Sequence, residues 1–480
     1  MKNSKLNLAL YSLNFKFVSL VVLGAFLLAL VPPPAQASPD TETLRPNGVG
    51  NSTNFSQYPV DWLGDWLKRV KITIDSADIG EDVTHFPVLI HLSSTCGKGG
   101  AYDLTPVFSE VGSNSKRIAV TKADEVTQLY VEIEKWDASA EEAWLWVSKS
   151  DWTISSTADT DIYLYYDNSQ PDNNSWVGDS GSRTEVWDGD FQGVWHLRET
   201  TGGSNAFKDS TGTYHGTDAG TVSLGQTGKI GNAVSFDAAA DLIDCGDIDA
   251  IDGIEKMTWE AWVKPSSLAD YQAALVKDNG AKNIMWLGSS GGGQGGNDDV
   301  AFGVEDGSLN VFAYSTTNVL DTTNWHYLTG RFDGTEAVTT DRERIYHNGV
   351  DVTGGHFNGA WCPATTPSGT GTFDIGTDGP QGVDYWRGIV DEVRASSVAR
   401  TDAWIKASYE SGRDDLLDFG SEETGGNFDK VDEETQDGNT TYVYTSSSVY
   451  DTYATQDHSA GSGTINSVTI HAWVARATGQ

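Results

Sequence analysis

The stretch NWHYLTGRFDGTE, from Asn324 to Glu336, gathers a tryptophan, a histidine, an arginine and an aspartate within ten residues. Side chains of these types build many active sites, so a catalytic cluster is one interpretation. The other is a β-strand, in which successive side chains point to opposite faces and the Asp-Gly pair begins a turn. In that case Trp325 and Tyr327 share one face, and His326 lies on the other. The surrounding sequence decides between the two.

The composition favours a β-rich chain. Among 480 residues there are 52 glycines and 17 tryptophans but only 3 methionines, which suits strands and turns better than helices. The formal net charge is -37. A chain this acidic repels nucleic acid and anionic membranes. We therefore expect no nucleic-acid partner.

The amino terminus has the form of a signal peptide. Lysines precede an apolar run, FVSLVVLGAFLLALV, and the sequence AQA at residues 35–37 has the small-x-small form of a signal-peptidase site. The apolar run is shorter than the ~20 residues that a membrane-spanning helix needs. We therefore expect residues 1–37 to be removed on export, with no membrane insertion afterwards. The expected location is secreted or at the cell surface.

Two segments follow the signal-like sequence. Residues 38–61 are rich in Asn, Ser, Thr and Pro and are predicted to be a flexible spacer. In residues 62–175, the runs LKRVKITID, LYVEIEKWD, EAWLWVSK and TDIYLYYDN alternate apolar and polar residues, which predicts a sandwich or barrel of short strands. With WLKRVKITID, FPVLIHL, VEIEKWD, AWLWV and IYLYYDN in this order, the segment resembles the domain of unknown function 2341 of bacteria and archaea. That resemblance implies no activity.

A second series of motifs occupies residues 186–420. The motifs are GVWHLRE, KDSTGTYHGT, GKIGNAVSFDAAADLIDCGD, MTWEAWVKP, NWHYLTGRFDG, RIYHNGV, FDIG and YWRGIVDEVRASSVARTDAWIKASYES. In this order they resemble the laminin-G-like, concanavalin A-like jelly-roll family. The resemblance implies that the opening stretch is a strand followed by a turn. His326, Arg331 and Asp333 are therefore expected to be scaffold and not a catalytic cluster.

Catalysis by such a jelly roll would require paired carboxylates. The glucanases that share this fold carry them on one strand, as Glu-x-Asp-x-Glu or Glu-x-Asp-x-x-Glu, so that both face one cleft. Neither pattern occurs here. Asp391 and Glu392 are adjacent and are expected on opposite faces of a strand, whereas Glu260 and Asp299 each stand alone. Metalloprotease, nucleophile-elbow and phosphate-loop motifs are also absent from the sequence. We therefore predict that the chain is not an enzyme.

The resemblance instead implies binding of a glycan or an extracellular protein, through rim loops and sometimes with Ca²⁺. Aromatic rings stack on the apolar face of a sugar, so Trp286, Trp361 and Tyr385 are the ligand-binding candidates. Trp286 falls in a predicted strand and is also a core candidate, as is Trp386. Trp361 lies in a loop rich in proline and glycine and is the best exposed candidate.

Two loop carboxylates, Asp278 and Asp378, are the candidates for Ca²⁺, which takes oxygen ligands. Their alternative is a role in turns, because Asp-Asn-Gly and Asp-Gly are common turn sequences. Of the three cysteines, Cys245 and Cys362 fall in the same predicted domain. They are the candidates for one disulfide in an exported protein.

Residues 430–480 follow an acidic linker and contain strand-like runs, so they are predicted to begin a further β domain. The whole chain is predicted to be all-β: a β-sandwich module, a concanavalin A-like jelly roll and the start of a third β domain. The favoured function is that of an exported, non-catalytic binding or surface-adhesion protein whose jelly roll contacts a glycan. The alternative is an accessory portion of a larger extracellular polysaccharide-degrading enzyme.

Overall fold

Strands joined by short turns make up most of the chain that the computed structural model describes. The structure describes Leu63 and residues 66–178, 183–237, 240–268, 272–278, 284–289, 298–305, 312–316, 318–357, 362–376 and 384–424. Outside the described residues lie the expected signal peptide (1–37), spacer (38–61) and third β domain (430–480), and also Trp361 and Asp378. The described residues all belong to one compact unit. None of the described helices has the length and apolarity to cross a bilayer.

The amino-terminal module consists of short strands and a six-residue helix. In chain order the strands are β1 (Lys68–Ile74), β2 (Val83–Thr84), β3 (Val88–Leu92), β4 (Ile118–Lys122), β5 (Gln128–Asp137), β6 (Glu142–Ser148), β7 (Thr153–Ile154), β8 (Thr160–Tyr166) and β9 (Val177–Gly178). The helix α1 (Pro106–Val111) lies between β3 and β4. In β1, alternation buries Val70, Ile72 and Ile74 in the apolar core of this module.

The main sheet of the amino-terminal module is completed by a strand from the far end of the chain. This strand, β26 (Leu417–Thr424), lies outermost in the order β26-β1-β8-β4-β5-β6-β3, in which β9 also pairs with β5. β26 pairs antiparallel with β1 and places Phe419 opposite Ile72. The jelly-roll range expected from the sequence, 186–420, therefore includes the beginning of a strand that belongs to the other module.

The jelly roll is built from two facing eight-stranded sheets. Its strands are β10 (Phe191–Trp195), β11 (Thr217–Ala219), β12 (Ser223–Thr227), β13 (Asn232–Phe236), β14 (Leu242–Asp244), β15 (Lys256–Pro265), β16 (Gln272–Asp278), β17 (Ile284–Ser289), β18 (Val300–Val304), β19 (Phe312–Ser315), β20 (His326–Asp333), β21 (Glu343–His347), β22 (Val350–Asp351), β23 (Thr353–Phe357), β24 (Phe373–Ile375) and β25 (Gly388–Ser396). Sheet A has the order β12-β13-β25-β15-β20-β21-β22, with β10 beside β25, and sheet B has the order β11-β14-β24-β16-β17-β18-β19-β23. The predicted all-β class with a jelly roll is confirmed.

Sheet A is buried on both of its faces. In β15, Trp259 packs in the core between sheets A and B. Glu260 and Trp262, on the opposite face, are buried as well. Part of the cover on that face is the helix α2 (Asp402–Gly412), where Tyr409 stacks on Trp262 with ring centroids 5.7 Å apart. Polar side chains on this face therefore need partners within the protein.

The three cysteines are free thiols. Cys245 and Cys362 both lie in the apolar core of the jelly roll, but they are not bonded to each other, so the expected disulfide is not formed. Burial raises the pKa of the Cys245 thiol well above its ordinary value. This keeps the thiol protonated and unreactive, as is usual for a structural buried cysteine.

A buried acid lies at one end of the jelly-roll core. Glu343 of β21 is fully buried, and its Oε1 accepts a hydrogen bond from the backbone N–H of Val304 at 2.8 Å. Nε2 of His356 lies 3.7 Å from the other carboxylate oxygen. Burial, supplemented by the nearby carboxylate of Glu305, raises the pKa of Glu343 from 4.5 to about 8. The folded protein therefore holds this carboxyl neutral at pH 7.

We expect the free energy of unfolding to fall as the pH rises, and we expect Glu343→Gln to show a smaller fall than the wild type. The raised folded pKa contributes stability that is fully present below pH ~4.5 and is lost as the pH rises through about 8. One unit of pKa corresponds to about 1.4 kcal/mol, and about three units of the shift fall between pH 5 and pH 9, so the wild type should lose roughly 4 kcal/mol more than the variant over this range. Urea denaturation at both pH values measures this difference. Equal losses in the two proteins would contradict the prediction.

Because β26 pairs with β1, we expect Phe419 of β26 to stabilise the amino-terminal module. Phe419 is buried and contacts Tyr102 with ring centroids 5.5 Å apart. Phe419→Ala should therefore lower the free energy of unfolding by about 3–5 kcal/mol. The control is Thr424→Ala, at the exposed end of the same strand. A loss below about 1 kcal/mol for Phe419→Ala would show that the pairing contributes little.

Candidate functional site

The outer face of sheet B, which points away from the core between the sheets, carries a row of small residues that includes one aromatic residue. The strand registers align Ala273, Gly288, Ala301, Tyr314 and Gly355 across β16, β17, β18, β19 and β23. Residues paired in this way share a face of the sheet. A Cβ atom at Gly355 would lie 2.6 Å from the Tyr314 hydroxyl oxygen. The glycine therefore allows the tyrosine ring to lie close against the neighbouring strand.

A second row on the same face is more aromatic. Phe312 pairs with Phe357, and their ring centroids lie 5.0 Å apart. Phe312 and Val276 belong to an apolar cluster separate from the jelly-roll core, and half-buried Tyr314 and Phe357 pack against it. Asp374 pairs with Val276 and adds a carboxylate at one end of the row. Aromatic rings and a carboxylate therefore occupy one face, which we call the sheet B outer face.

The structure places the predicted ligand-binding residues at different positions relative to this face. Trp286 lies in β17 opposite Val276, and its side chain lies outside the described residues. Tyr385 is half-buried and is bridged to Ala273, and its hydroxyl accepts a hydrogen bond from Arg387 at 2.8 Å. Trp386 is fully buried in the jelly-roll core. The structure therefore brings Tyr385 to the edge of the sheet B outer face and makes Trp386 a core residue.

The predicted Ca²⁺ ligands are only partly described. Asp278 is buried at the end of β16, and Asp378 lies outside the described residues, so the pair stays a prediction. A different acidic group, Asp247, Asp249 and Asp252, lies close together. Nζ of the buried Lys277 lies 2.6 Å from Asp247 and 2.8 Å from Asp252. This ammonium group already supplies a cation to these aspartates.

The histidine of NWHYLTGRFDG is part of the sheet A scaffold. His326 is buried in β20, its Nε2 accepts a hydrogen bond from the backbone N–H of Asp321 at 3.1 Å, and its Nδ1 lies 2.9 Å from Nε2 of His347. Burial lowers the pKa of His326, and it lowers the pKa of His347 to about 4. Both rings are therefore neutral, with their nitrogens engaged in the fold.

A cluster of buried ionisable residues joins the two modules, and we call it the junction cluster. It comprises Glu132 and Glu134 of β5, His196 after β10, and Glu392 and Arg394 of β25. Nδ1 of His196 lies 2.6 Å from Glu392 Oε1 and 3.5 Å from Glu134 Oε2. Its Nε2 lies 3.4 Å from Glu132 Oε1. The imidazole is thus surrounded by carboxylates from both modules, and its side chain is only 3 % exposed.

Aromatic and hydroxyl donors fix the carboxylates of the junction cluster. Trp146 donates its indole N–H to Glu134 at 2.7 Å. Glu132 accepts hydrogen bonds from the Trp187 indole at 2.7 Å and from the Ser210 hydroxyl at 2.6 Å. These donors hold both side chains of β5 in place. The carboxylates are therefore preorganised and do not depend on solvent for their position.

A β-bulge directs Glu392 into the cluster. Glu392 has a φ of 52°, and the register between β15 and β25 shifts beside it. Asp391, on the same buried side, accepts hydrogen bonds from the backbone N–H groups of Lys229 and Ile230. The expectation that Asp391 and Glu392 lie on opposite faces is therefore wrong, because a bulge breaks the period of two along a strand.

The charges of the cluster depend on burial and on each other. Burial, with the nearby Glu392, raises the pKa of Glu134 to about 8. Burial alone would lower the pKa of His196, but the carboxylates of Glu392, Glu132 and Glu134 raise it well above its ordinary value. Burial would raise the pKa of Glu392, but His196 and Arg394 lower it. At neutral pH the protonated imidazole therefore faces ionised Glu132 and Glu392 and neutral Glu134.

The sequence interpretation missed the junction cluster. One signal was available: in VEIEKWD, Glu132 and Glu134 are two residues apart on a strand and share a face. That pattern is equally typical of a solvent-exposed face. The jelly roll, which covers these residues, is distant in sequence. The local pattern could not predict that it packs here.

The comparisons with known proteins concern the jelly roll. Residues 237–406 match the family model Laminin_G_3, described as the concanavalin A-like lectin/glucanases superfamily. No protein among the curated sequences matches the chain.

Three solved structures are similar over part of the chain. The first is domain 4 of AbnA, an extracellular GH43 arabinanase from Geobacillus stearothermophilus, in complex with arabinotriose: it shows 20% identity and a TM-score of 0.34, over 45% of this chain and 96% of that one. The second is the Ruminococcus gnavus IT-sialidase CBM40 bound to alpha2,3 sialyllactose, at 12% identity and a TM-score of 0.30, over 37% and 96%. The third is the binding domain of Botulinum Neurotoxin DC in complex with SialylT, at 10% identity and a TM-score of 0.33, over 47% and 52%. The family match at 237–406 supports the assignment of this segment to the concanavalin A-like superfamily.

Proposed function

We propose that the protein binds carbohydrate through the sheet B outer face. The observation that carries this proposal is the collection of half-buried aromatic rings on that face. Tyr314 and Phe357 pack on its apolar cluster, and Tyr385 lies at its edge. Such rings offer stacking surface, and a few polar groups beside an apolar floor are typical of small-molecule sites. The carboxylate of Asp374 is buried in this sheet and accepts a hydrogen bond from the Thr372 hydroxyl at 3.0 Å.

The other outer face of the jelly roll is unsuited to a ligand. On sheet A, Glu260 and Tyr327 are buried, and the tyrosine hydroxyl donates to the carboxylate at 2.6 Å. Helix α2 and the amino-terminal module cover these residues. Among the residues that the structure describes, the half-buried rings of Tyr314 and Phe357 are more accessible to a glycan than Glu260 and Tyr327 are. The match of residues 237–406 to a superfamily that includes lectins supports a carbohydrate ligand.

The proposed role is non-catalytic. Glycoside cleavage needs two carboxyl groups about 5–10 Å apart across an accessible scissile bond. Glu260 is sealed beneath Tyr327, Asp299 is buried, and the junction cluster is enclosed between the modules. A sugar chain on sheet B would therefore not meet these carboxylates. Export and a cell-surface or secreted location are part of the same proposal and rest on the signal-like amino terminus.

The proposal predicts that Tyr314→Ala and Phe357→Ala weaken glycan binding. Loss of a stacked ring should cost about 1–3 kcal/mol per site, by analogy with bases stacked on aromatic side chains. A glycan panel selects the ligand, and titration calorimetry then measures its affinity for each variant. The matched control is Tyr130→Ala, a half-buried ring of the amino-terminal module that packs on Trp176. Affinities that do not differ from the control would remove this face as the binding site.

We further expect the purified protein to release no reducing ends from laminarin, agar or alginate. The physical reason is the burial of its strand carboxylates. A reducing-end assay before and after repurification separates contaminating activity from that of the protein. Hydrolysis that persists and disappears in Glu260→Gln would instead place a catalytic carboxylate in sheet A.

A further inference from the structure

We propose that Glu134, His196 and Glu392 form a buried site for one divalent transition-metal ion, of which Zn²⁺ is the test case. Each of Glu134, His196 and Glu392 offers one ligand atom, and these three atoms lie within 4.8 Å of one another. A tetrahedral ion bonded at ~2.0–2.2 Å places neighbouring ligand atoms about 3.4 Å apart. The observed 3.5 Å between His196 and Glu134 already fits. The 2.6 Å between His196 and Glu392 would need to open by less than about 1 Å.

A second observation points to a ligand at this place. Glu134 Oε1 is buried and has no hydrogen-bond partner, although the side chain is 0 % exposed. A buried carboxyl oxygen without a hydrogen-bond partner is costly whether or not the group carries a proton. An ion bound by both oxygens of Glu134 would satisfy this atom and gain a fourth donor. The protein alone would then close the coordination shell, as in structural zinc sites.

The surrounding groups orient the three side chains as metal ligands require. With an ion on Nδ1, the His196 ring carries its proton on Nε2, which faces Glu132 Oε1 at 3.4 Å. A carboxylate behind a ligating histidine fixes the tautomer and strengthens the ligand. Arg394 donates to the Glu392 oxygen Oε2 at 2.9 Å, which leaves Oε1 for the ion. Trp146 donates to Glu134 Oε2 and holds that carboxylate in place, and Oε1 of Glu134 has no donor.

The chemistry of the three ligands selects the class of ion. Imidazole with two carboxylates suits Zn²⁺ and related transition ions, whereas Ca²⁺ and Mg²⁺ prefer oxygen donors alone.

The site would bind the two modules to each other. Glu134 lies in the amino-terminal module, and Glu392 lies in the jelly roll. An ion between them binds the folded protein only and therefore stabilises it. Because the site is enclosed, the ion would enter during folding and exchange slowly afterwards.

The test measures metal in the full-length chain. The protein is unfolded with a chelator, refolded with Zn²⁺ or Co²⁺, passed over a desalting column and analysed by mass spectrometry of its metals. We expect about one ion per chain, a raised melting temperature and the intense visible spectrum of four-coordinate Co²⁺. Glu134→Gln and His196→Gln should lose the ion and the rise in melting temperature. The control, Glu260→Gln, changes another buried carboxylate of sheet A outside the ligand set and should retain both.

Three outcomes would overturn the proposal. The first is a refolded wild type, native by circular dichroism, that retains no ion after desalting. The second is retention of the ion by Glu134→Gln and His196→Gln, which would place it elsewhere in the chain. The third is the weak spectrum of six-coordinate Co²⁺ in the wild type, a measurement that needs no variant to fold. Glycan binding is measured separately, so failure here would leave the proposed function standing.

Discussion

Sheet A packs on sheet B with one face and on helix α2 and the amino-terminal module with the other, so each polar side chain buried in it needs a partner inside the protein. Glu260 is satisfied by the hydroxyl of Tyr327, and Glu392 by His196 and Arg394. These contacts explain why charged residues occur in strands that are otherwise apolar. They also make the contact between the modules specific, because His196 meets carboxylates from both.

This packing separates the roles of the two jelly-roll sheets. Sheet A holds the modules together and contains the buried charges, whereas sheet B carries aromatic rings on its outer face. The separation explains why the carboxylates of sheet A, although they are of the type that catalyses glycoside cleavage, cannot contact a polysaccharide. It also accounts for the histidine of the opening stretch, whose ring nitrogens are engaged with Asp321 and His347.

Much of the fold could be predicted because jelly-roll strands carry local signals. Alternation and the Asp-Gly turn allowed a strand at β20, and the resemblance of the motif series to jelly-roll proteins implied that strand and the scaffold role expected of His326. The sequence did not reveal Tyr314 and Phe357, whose strands are short and whose pairing depends on long connections. The bulge at Glu392 was also missed, since a φ of 52° at a glutamate leaves no mark on composition. The disulfide expectation failed because membership of one domain does not bring two cysteines into bonding distance.

The pairing of β26 with β1 has a consequence for the order of synthesis. Arg69 of β1 and Glu423 of β26 are bonded, although 354 positions separate them in sequence. A chain made from its amino terminus therefore presents β1 as an open edge until the jelly roll has been completed. Lys68, Arg69 and Lys71 place positive charge along that edge, and charged side chains discourage pairing of an edge strand with other chains. The jelly roll is thus an insertion within the amino-terminal module, and the main sheet of that module is completed only when β26 has been made.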